Sequence, residues 1–126
     1  MTKYKNVLHI DDEQDDLEIF STTVQELTAS INCISLNCAA TALKKIISRE
    51  LSPELIFVDL NMPGMDGFEF IRKVKKLPDF NVPIVVLSTS SQRDTIESVK
   101  KLGADGYLTK PNSIRQFVQI LTPFFV

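Results

Sequence analysis

Five polar side chains in the sequence stand at the ends of short apolar runs. Asp11 and Asp12 follow "VLHI", Asp59 follows "LIFV", Ser88 ends "VVLS" and Lys110 follows "GYLT". Three carboxylates brought to one place repel one another, because two charges about 4 Å apart interact by about 4 kcal/mol at an effective dielectric constant of about 20. A cluster of these residues therefore requires a compensating cation.

Magnesium is the simplest cation for such a cluster. Mg²⁺ prefers a few carboxylate or carbonyl oxygens together with water, and it brings phosphate oxygens with it. Lys110 cannot neutralise three carboxylates alone, but its compact ammonium group is suited to a phosphoryl group. Asp59 is then a candidate nucleophile that forms an aspartyl phosphate, with Mg²⁺, Lys110 and Ser88 binding the equatorial oxygens during transfer.

Short apolar runs, which are typical of buried strands, alternate along the chain with segments whose apolar residues recur at helical spacing. This alternation predicts the elements that position the polar side chains. Strands are predicted over 5–10, 32–38, 54–59, 82–88 and 106–109, and the first two helices over 13–29 and about 39–49. The inward residues of the last four helices are expected to be Leu43, Ile46 and Ile47, then Phe70, Ile71, Val74 and Leu77, then Ile96, Val99 and Leu102, then Ile114, Phe117, Val118 and Leu121. Ser90 or Ser91 is expected to cap the fourth helix, and Gly103 to end it.

The alternation of five strands with five helices predicts an α/β fold, a (βα)5 doubly wound parallel sheet. The first, third and fourth strands are nearly continuous apolar runs, as expected of parallel strands that helices cover on both faces. Right-handed crossovers place the carboxyl end of every strand at the same edge, where such sheets bind ligands. The polar residues at the strand ends are therefore expected to meet in one acidic pocket.

Composition narrows the class of protein. The chain has 126 residues and a net charge of -2, which favours one domain and gives no reason to expect nucleic-acid binding. No apolar stretch is long enough to cross a bilayer and no secretory pattern begins the chain, so we expect a cytoplasmic protein without membrane contact. Cys33 and Cys38 lie on one predicted strand, too far apart for a disulfide. His9, in the middle of the first strand, is expected to serve packing.

Each polar residue also has a plainer explanation when it is taken alone. The acidic residues at 11, 12, 15 and 16 are suited to capping the first helix and opposing its macrodipole. Asp59 is a common turn residue, Ser88 is a common strand end, and Lys-Pro is an ordinary stop. Their joint placement at the ends of four strands is what favours a site.

The sequence resembles the receiver domain of two-component response regulators over essentially its whole length. The resemblance depends on "IDDE" after the first strand, "VDLNMPGMDGFEF" around Asp59, "VVLSTS" on the fourth strand and "KKLGADGYLTKP" through the fifth. It implies a flavodoxin-like sheet with strand order 2-1-3-4-5. It also implies that Asp59 accepts a phosphoryl group from a histidine kinase or a histidine phosphotransfer protein.

The resemblance further assigns roles to individual residues of this chain. Mg²⁺ would be bound by Asp12, Asp59 and the backbone carbonyl of Asn61, with Asp11 acting through water. Lys110 would bind the phosphoryl group and Ser88 matches the switch hydroxyl. Tyr107 matches the aromatic residue that turns inward when that hydroxyl moves toward the phosphoryl group. Thr89 is larger than the usual Ala, and Asn112 replaces a frequent Phe. Asn61 and Ser90, expected to face solvent, would tune the lifetime of the phosphorylated form.

Three functions from different classes remain open at this point. The first is a phosphorylation switch that signals through helix four, strand five and helix five to another protein or to a second copy. The chain ends about fifteen residues after Lys110, so we expect one receiver domain over 1–126 without an output domain. The second is a Mg²⁺-dependent phosphatase, which requires an acid where Asn61 stands. The third is a flavodoxin-like cofactor binder, whose phosphate "DDEQDD" would repel.

Overall fold

The computed structural model describes residues 4–126, in which strands and helices alternate strictly. The elements are β1 (Asn6–Ile10), α1 (Gln14–Leu27), β2 (Asn32–Leu36), α2 (Ala39–Ile47), β3 (Leu55–Val58), α3 (Gly67–Val74), β4 (Ile84–Ser88), α4 (Arg93–Leu102), β5 (Gly106–Thr109) and α5 (Ile114–Phe125). None of the helices within these residues is long and apolar enough to span a membrane.

The strands form one parallel five-stranded sheet in the order β2-β1-β3-β4-β5, which confirms the predicted fold. β1 pairs with both β2 and β3, so that Leu8 lies between Ile34 and Ile56. β3 and β4 are buried along their whole length because helices cover both faces of the sheet. The strand order reverses beside β1, and the crevice that this creates at the carboxyl ends is where such sheets bind ligands.

Side chains of the inner strands alternate between two core clusters, one on each face of the sheet. Phe57 of β3 packs with residues of α1 and α5, whereas its neighbours Ile56 and Val58 pack with residues of α2, α3 and α4. The first group includes Phe20, Val24, Phe117, Leu121 and Phe125, and the second includes Ala42, Phe70, Ile71, Val74 and Val99. This two-sided burial fixes the strand register, since a slip by one residue would exchange the two faces.

The predicted cap of the fourth helix by Ser90 or Ser91 is wrong. α4 begins at Arg93 with Gln92 as its N-cap residue. The Ser90 hydroxyl accepts a hydrogen bond from the backbone N–H of Gln92 at 3.3 Å, so it closes a turn before the helix instead of capping it. Gly103 ends α4 as predicted, in the left-handed conformation with φ 107.

Two apolar residues expected to face the core are exposed. Ile47 and Ile114 expose 56% and 65% of their surface. Each is a terminal residue of its helix, the last of α2 and the first of α5, so a neighbouring turn is missing on one side. α3 ends at Val74, earlier than its pattern of apolar residues predicts. Leu77 still packs on the core, but from the turn that follows the helix.

The cysteines remain separate, as predicted. Cys33 lies on β2 and is half-buried, whereas Cys38 lies beyond the end of β2 as the exposed N-cap residue of α2. Both are free thiols. β2 itself is shorter than the predicted 32–38, because it ends at Leu36.

Gly67 allows α3 to start directly against the end of β3. Its backbone N–H donates to the carbonyl of Leu60 at 3.0 Å. A Cβ atom at this position would overlap the backbone carbonyl of Asp59 and lie 2.8 Å from the Cα atom of Leu60. Since both obstacles are backbone atoms, a larger residue forces the loop after Asp59 to move.

We therefore expect Gly67→Ala to lower the free energy of unfolding by about 2 kcal/mol or more, although alanine is ordinarily the better helix former. Gly64→Ala is the matched control, because Gly64 has φ 76 but open space around its Cβ position. That control introduces only backbone strain, of about 1 kcal/mol. Urea unfolding of both variants decides the point, and a Gly67→Ala variant no less stable than Gly64→Ala would contradict the steric explanation.

Candidate functional site

Backbone hydrogen bonds beyond the strand ends hold the polar residues of the carboxyl edge in place. The backbone N–H of Asp11 donates to the carbonyl of Leu36 at 3.1 Å, and that of Asp59 donates to the carbonyl of Ile10 at 3.0 Å. At the same edge, beyond the ends of β4 and β5, the backbone N–H of Lys110 donates to the carbonyl of Ser88 at 2.7 Å. The sheet ladder thus continues for one residue past its strands and positions these residues rigidly.

Three carboxylates meet at this edge, as the sequence predicts. Asp11, Asp12 and Asp59 each offer one oxygen, and these oxygens all lie within 4.8 Å of one another. Asp11 is fully buried, Asp59 is 4% exposed and Asp12 faces solvent. A set of hard oxygen donors with one side open to water fits Mg²⁺, which binds few protein oxygens and keeps several waters.

Lys110 lies at the centre of the charge cluster. Its Nζ atom donates hydrogen bonds of 2.8 Å to Oδ2 of Asp11 and 2.8 Å to Oδ2 of Asp16, and it lies 3.5 Å from Oδ2 of Asp59. The lysine side chain is 9% exposed. Its ammonium group therefore links the carboxyl ends of β1, β3 and β5 with the first turn of α1.

Sequence reasoning missed Asp16 as a member of this site. Its place in the first turn of α1 was sufficient reason to interpret it as macrodipole compensation. The sequence carries no signal that separates Asp16 from Asp15, because each stands four residues after a site carboxylate and both Asp11 and Asp12 lie outside α1.

Burial and neighbouring charges both shift the pKa values of the ionisable groups in the site. Burial raises the pKa of Asp11, although Lys110 and the backbone N–H of Glu13 act in the opposite direction. Burial also raises the pKa of Asp59, which Lys110 lowers and Asp11 raises further. Burial alone would lower the pKa of Lys110, but its hydrogen bonds to Asp11 and Asp16, together with the negative charges of Asp11 and Asp59, outweigh burial and raise it. The ammonium group is thus held charged among carboxylates that are costly to ionise.

The structure places the two residues of the expected switch on adjacent strands. Ser88 is fully buried, and its hydroxyl oxygen accepts a hydrogen bond from the backbone N–H of Ser90 at 3.3 Å. The Tyr107 hydroxyl donates to the backbone carbonyl of Ser90 at 2.6 Å, and its ring packs against the core. Tyr107 therefore already lies inward in this structure, and both residues are attached to the loop between β4 and α4.

Asn61 and Ser90 differ in their exposure. Asn61 is exposed as expected, and its backbone N–H acts to lower the pKa of Asp59. Ser90 is less exposed than expected, because it is half-buried. Its hydroxyl donates to Oγ1 of Thr95 at 3.4 Å while it accepts from Gln92, so the first turn of α4 binds it.

His9 lies beneath the site, fully buried in β1. Its ring stacks on Phe20 with the ring centroids 4.0 Å apart, which confirms the predicted packing role. Nε2 is 3.8 Å from Oδ2 of Asp11, beyond hydrogen-bond distance, and neither ring nitrogen has a hydrogen-bond partner among the described residues. Burial, with a contribution from the charge of Lys110, lowers the pKa of His9 to about 3, so the imidazole is neutral at physiological pH.

Residues 7–122 match the family model described as the response regulator receiver domain. The chain therefore belongs to the response regulator receiver family, whose members are the phosphoacceptors of two-component signal transduction. It is 30% identical over 115 residues to the phosphate regulon transcriptional regulatory protein PhoB of Pseudomonas aeruginosa, over 90% of this chain and 48% of PhoB. The chain thus spans about half the length of that relative.

Solved structures of receiver domains superpose closely on this chain. The phosphorylated cyanobacterial phytochrome response regulator RcpA gives a TM-score of 0.85 at 27% identity, covering 95% of this chain and 90% of RcpA. The Mn²⁺-bound form of the response regulator Rcp1 gives 0.78 at 28% identity, covering 94% of this chain and 90% of Rcp1. The fold and the signalling class that the sequence resemblance implied are confirmed.

The lowered pKa of His9 predicts a specific acid sensitivity. Between its unfolded value of 6.5 and about 3, the unfolded chain binds a proton that the folded chain refuses, so stability rises with pH across this window and falls on acidification. The contribution is at most about 1.4 kcal/mol per pH unit. His9→Leu and His9→Gln should both lack it.

Urea unfolding at pH values from 7 to 4 measures this effect, and the comparison is between variants because Asp11 and Asp59 titrate in every one of them. His9 is the one histidine of the chain, so no other imidazole contributes. A His9→Leu variant that loses stability with acid as steeply as the parent chain would contradict the assignment.

Proposed function

We propose that Asp59 accepts a phosphoryl group from a phosphohistidine of a kinase or phosphotransfer protein in a Mg²⁺-dependent reaction. The observation that carries this proposal is the surroundings of the Asp59 carboxylate. One of its oxygens lies within 4.8 Å of an oxygen of Asp11 and of an oxygen of Asp12. The Nζ atom of Lys110 lies 3.5 Å from Oδ2 of Asp59. An ionised nucleophile beside a dication site and a fixed cation is the arrangement that phosphoryl transfer requires.

The transfer breaks the N–P bond of the phosphohistidine and forms an O–P bond to a carboxylate oxygen of Asp59. The carboxylate supplies the electron pair of the new bond, and the leaving imidazole keeps the electrons of the broken bond and takes a proton from solvent. Lys110 is close enough to Asp59 to meet the charge on the phosphoryl oxygens. The Ser88 hydroxyl, which accepts a bond from Ser90, keeps its own proton for donation to a phosphoryl oxygen.

In this proposal Asp12, Asp59 and the backbone carbonyl of Asn61 hold Mg²⁺ directly, and Asp11 acts through water. The bound ion supplies charge neutralisation for the carboxylates and the phosphoryl oxygens. Asp11 is suited to an outer role because its oxygens are already engaged, one by the backbone N–H of Glu13 at 3.1 Å and the other by Lys110.

The chain acts in this proposal as a switch and not as an enzyme with turnover. Asn61 stands two residues after Asp59, and its amide cannot act as a general acid for fast hydrolysis. Slow autodephosphorylation would remain, with Asn61 and Ser90 tuning the lifetime of the aspartyl phosphate. Substitution of Asn61 alone tests this role better than substitution of Ser90, because Asn61 is exposed whereas Ser90 is half-buried and its loss would also disturb packing. An unchanged dephosphorylation rate in the Asn61 variant would show that Asn61 does not tune the lifetime.

The output surface in this proposal comprises α4, β5 and α5. Phosphorylation engages Ser88 and fixes the loop that contains Ser90, to which Tyr107 is bonded. Because Tyr107 is already inward, modification would hold this arrangement and not create it, which is a shift between populated states. Residues 1–126 would signal as one receiver domain in the cytoplasm by docking to another protein or to a second copy, without nucleic-acid or membrane contact.

The acceptor assignment predicts that Asp59→Asn abolishes Mg²⁺-dependent phosphorylation by acetyl phosphate, because the amide is not a nucleophile at physiological pH. Intact mass should show one added phosphoryl group on the parent chain and none on the variant. Asp15→Asn, an exposed change in the first turn of α1, should be phosphorylated like the parent. A phosphoryl group on Asp59→Asn at the rate of the parent would refute the proposal.

The switch assignment predicts that Tyr107→Phe separates phosphoryl binding from its output. The variant loses only the hydrogen bond to the Ser90 carbonyl, which lies outside the binding site. Its affinity for the phosphoryl mimic beryllofluoride in Mg²⁺ should therefore stay within about fivefold of that of the parent, because one hydrogen bond is worth about 1 kcal/mol. Amide chemical-shift changes in α4 and β5 on binding should become smaller. Tyr4→Phe, at the tyrosine that packs in the other core cluster, is the control; shift changes in Tyr107→Phe equal to those of the parent would count against the switch.

A further inference from the structure

Asp16 contacts the charge cluster from outside the sheet. It belongs to the first turn of α1, and its Oδ2 accepts a hydrogen bond of 2.8 Å from Nζ of Lys110, a residue 94 positions later in the chain. The contact is as short as the bond between Lys110 and the fully buried Asp11. A bond of this length between ionised groups is a charge-assisted hydrogen bond.

Macrodipole compensation does not account for this contact. Asp15 and Asp16 both lie in the first turn of α1, and either of them provides negative charge near its N-terminus. Asp15 is exposed, whereas Asp16 is half-buried and turned toward Lys110. The two neighbours therefore share a helix-end effect, and they differ in the contact with Lys110.

The geometry shows what this contact does to Lys110. An ammonium group has three N–H donors, and two of them are directed at Asp11 and Asp16 at 2.8 Å each. The distance to Oδ2 of Asp59 is longer, at 3.5 Å. Lys110 is thus held nearer to its two partners than to the proposed acceptor.

Of the two partners, Asp16 is the one able to release Lys110. Its side chain is 24% exposed, so water can replace the lost hydrogen bond, whereas the side chain of Asp11 is fully buried. A buried carboxylate that loses its cation is left uncompensated at a high cost in free energy. A movement of Lys110 toward a phosphoryl group on Asp59 is therefore expected to open the contact with Asp16 first.

We propose that Asp16 is a positioning residue that holds Lys110 back from Asp59 and competes with the incoming phosphoryl group for its ammonium charge. This inference rests on the proposed phosphoacceptor role of Asp59. The hydrogen bond to Asp16 stabilises the unphosphorylated arrangement and not the phosphorylated one. Asp16 thereby sets how readily the site accepts and retains the phosphoryl group, and it links the first turn of α1 to the state of Asp59.

Removal of the charge at this position should strengthen binding of the phosphoryl mimic. In saturating Mg²⁺, Asp16→Asn should bind beryllofluoride about fivefold more tightly than the parent, which is the size expected for loss of one partly exposed charge-assisted contact. Asp15→Asn removes the same charge from the same turn and should stay within about twofold of the parent. Asp16→Glu keeps the charge and should restore the parent affinity.

A double-mutant cycle with Lys110→Ala separates a role through Lys110 from a general effect of charge. If Asp16 acts through Lys110, Asp16→Asn changes nothing further in the Lys110→Ala background. The same gain in that background would indicate a field effect and overturn the inference. Where Lys110→Ala makes beryllofluoride binding too weak to titrate, the rate of phosphorylation by acetyl phosphate, read by intact mass, closes the same cycle.

The remaining outcomes are also decisive. Weaker or unchanged binding by Asp16→Asn, in a setting where the parent binds well, would overturn the inference and leave the phosphoacceptor role intact. A parent chain that neither binds beryllofluoride nor accepts a phosphoryl group would remove the proposed function together with this inference.

Discussion

Repulsion between three carboxylates, and its compensation, determines how the carboxyl edge of this sheet is built. Asp11, Asp12 and Asp59 offer oxygens within 4.8 Å of one another, and at such distances each like-charged pair costs several kcal/mol in a protein environment, by order of magnitude. Lys110 provides one positive charge, and burial makes ionisation of Asp11 and Asp59 still more costly. The remaining excess of negative charge is what makes the edge suitable for a divalent cation and, through it, for a phosphoryl group.

The parallel topology brings these charges together, and the loops that follow the strands complete the site. Parallel strands with right-handed crossovers end at one edge, and backbone bonds one residue beyond β1 and β3 fix Asp11 and Asp59. The close approach of α3 to the end of β3, which Gly67 permits, shapes the loop that follows Asp59. Ser88 and Tyr107 are attached to the same loop after β4, so a change at the acidic edge has a direct physical route to α4 and β5.

Most of the site could be predicted from the sequence, because its residues directly follow apolar runs whose ends are readable. Asp59 is an example: it directly follows a strand that is buried along its whole length, and polar side chains stand at the ends of three other strands as well. Family motifs added Asn61 and Tyr107, which periodicity alone would not select. The contact between Asp16 and Lys110 was not predictable in the same way, because it depends on how α1 is rotated against the end of β5.

Exposure at helix ends also lay beyond the sequence pattern. Ile47 and Ile114 belong to apolar stripes but end or begin their helices, and a stripe carries no information about which turn is last. Ser90 was expected to cap a helix and to face solvent, but α4 begins one or two residues later than that cap requires, so the Ser90 hydroxyl closes the preceding turn and the residue is half-buried. The partners and the exposure of Ser90 therefore depend on hydrogen bonds in the loop before α4, which the periodicity of apolar residues does not predict.

Titration of the parent chain with Mg²⁺, followed by backbone amide chemical shifts, tests the central claim most directly. If the carboxylates form one cation site, the shifts will saturate as for a single site and will concentrate at residues 11–13, 59–61 and 110. Linear shifts without saturation, spread over the exposed acidic residues of the surface, would contradict the account.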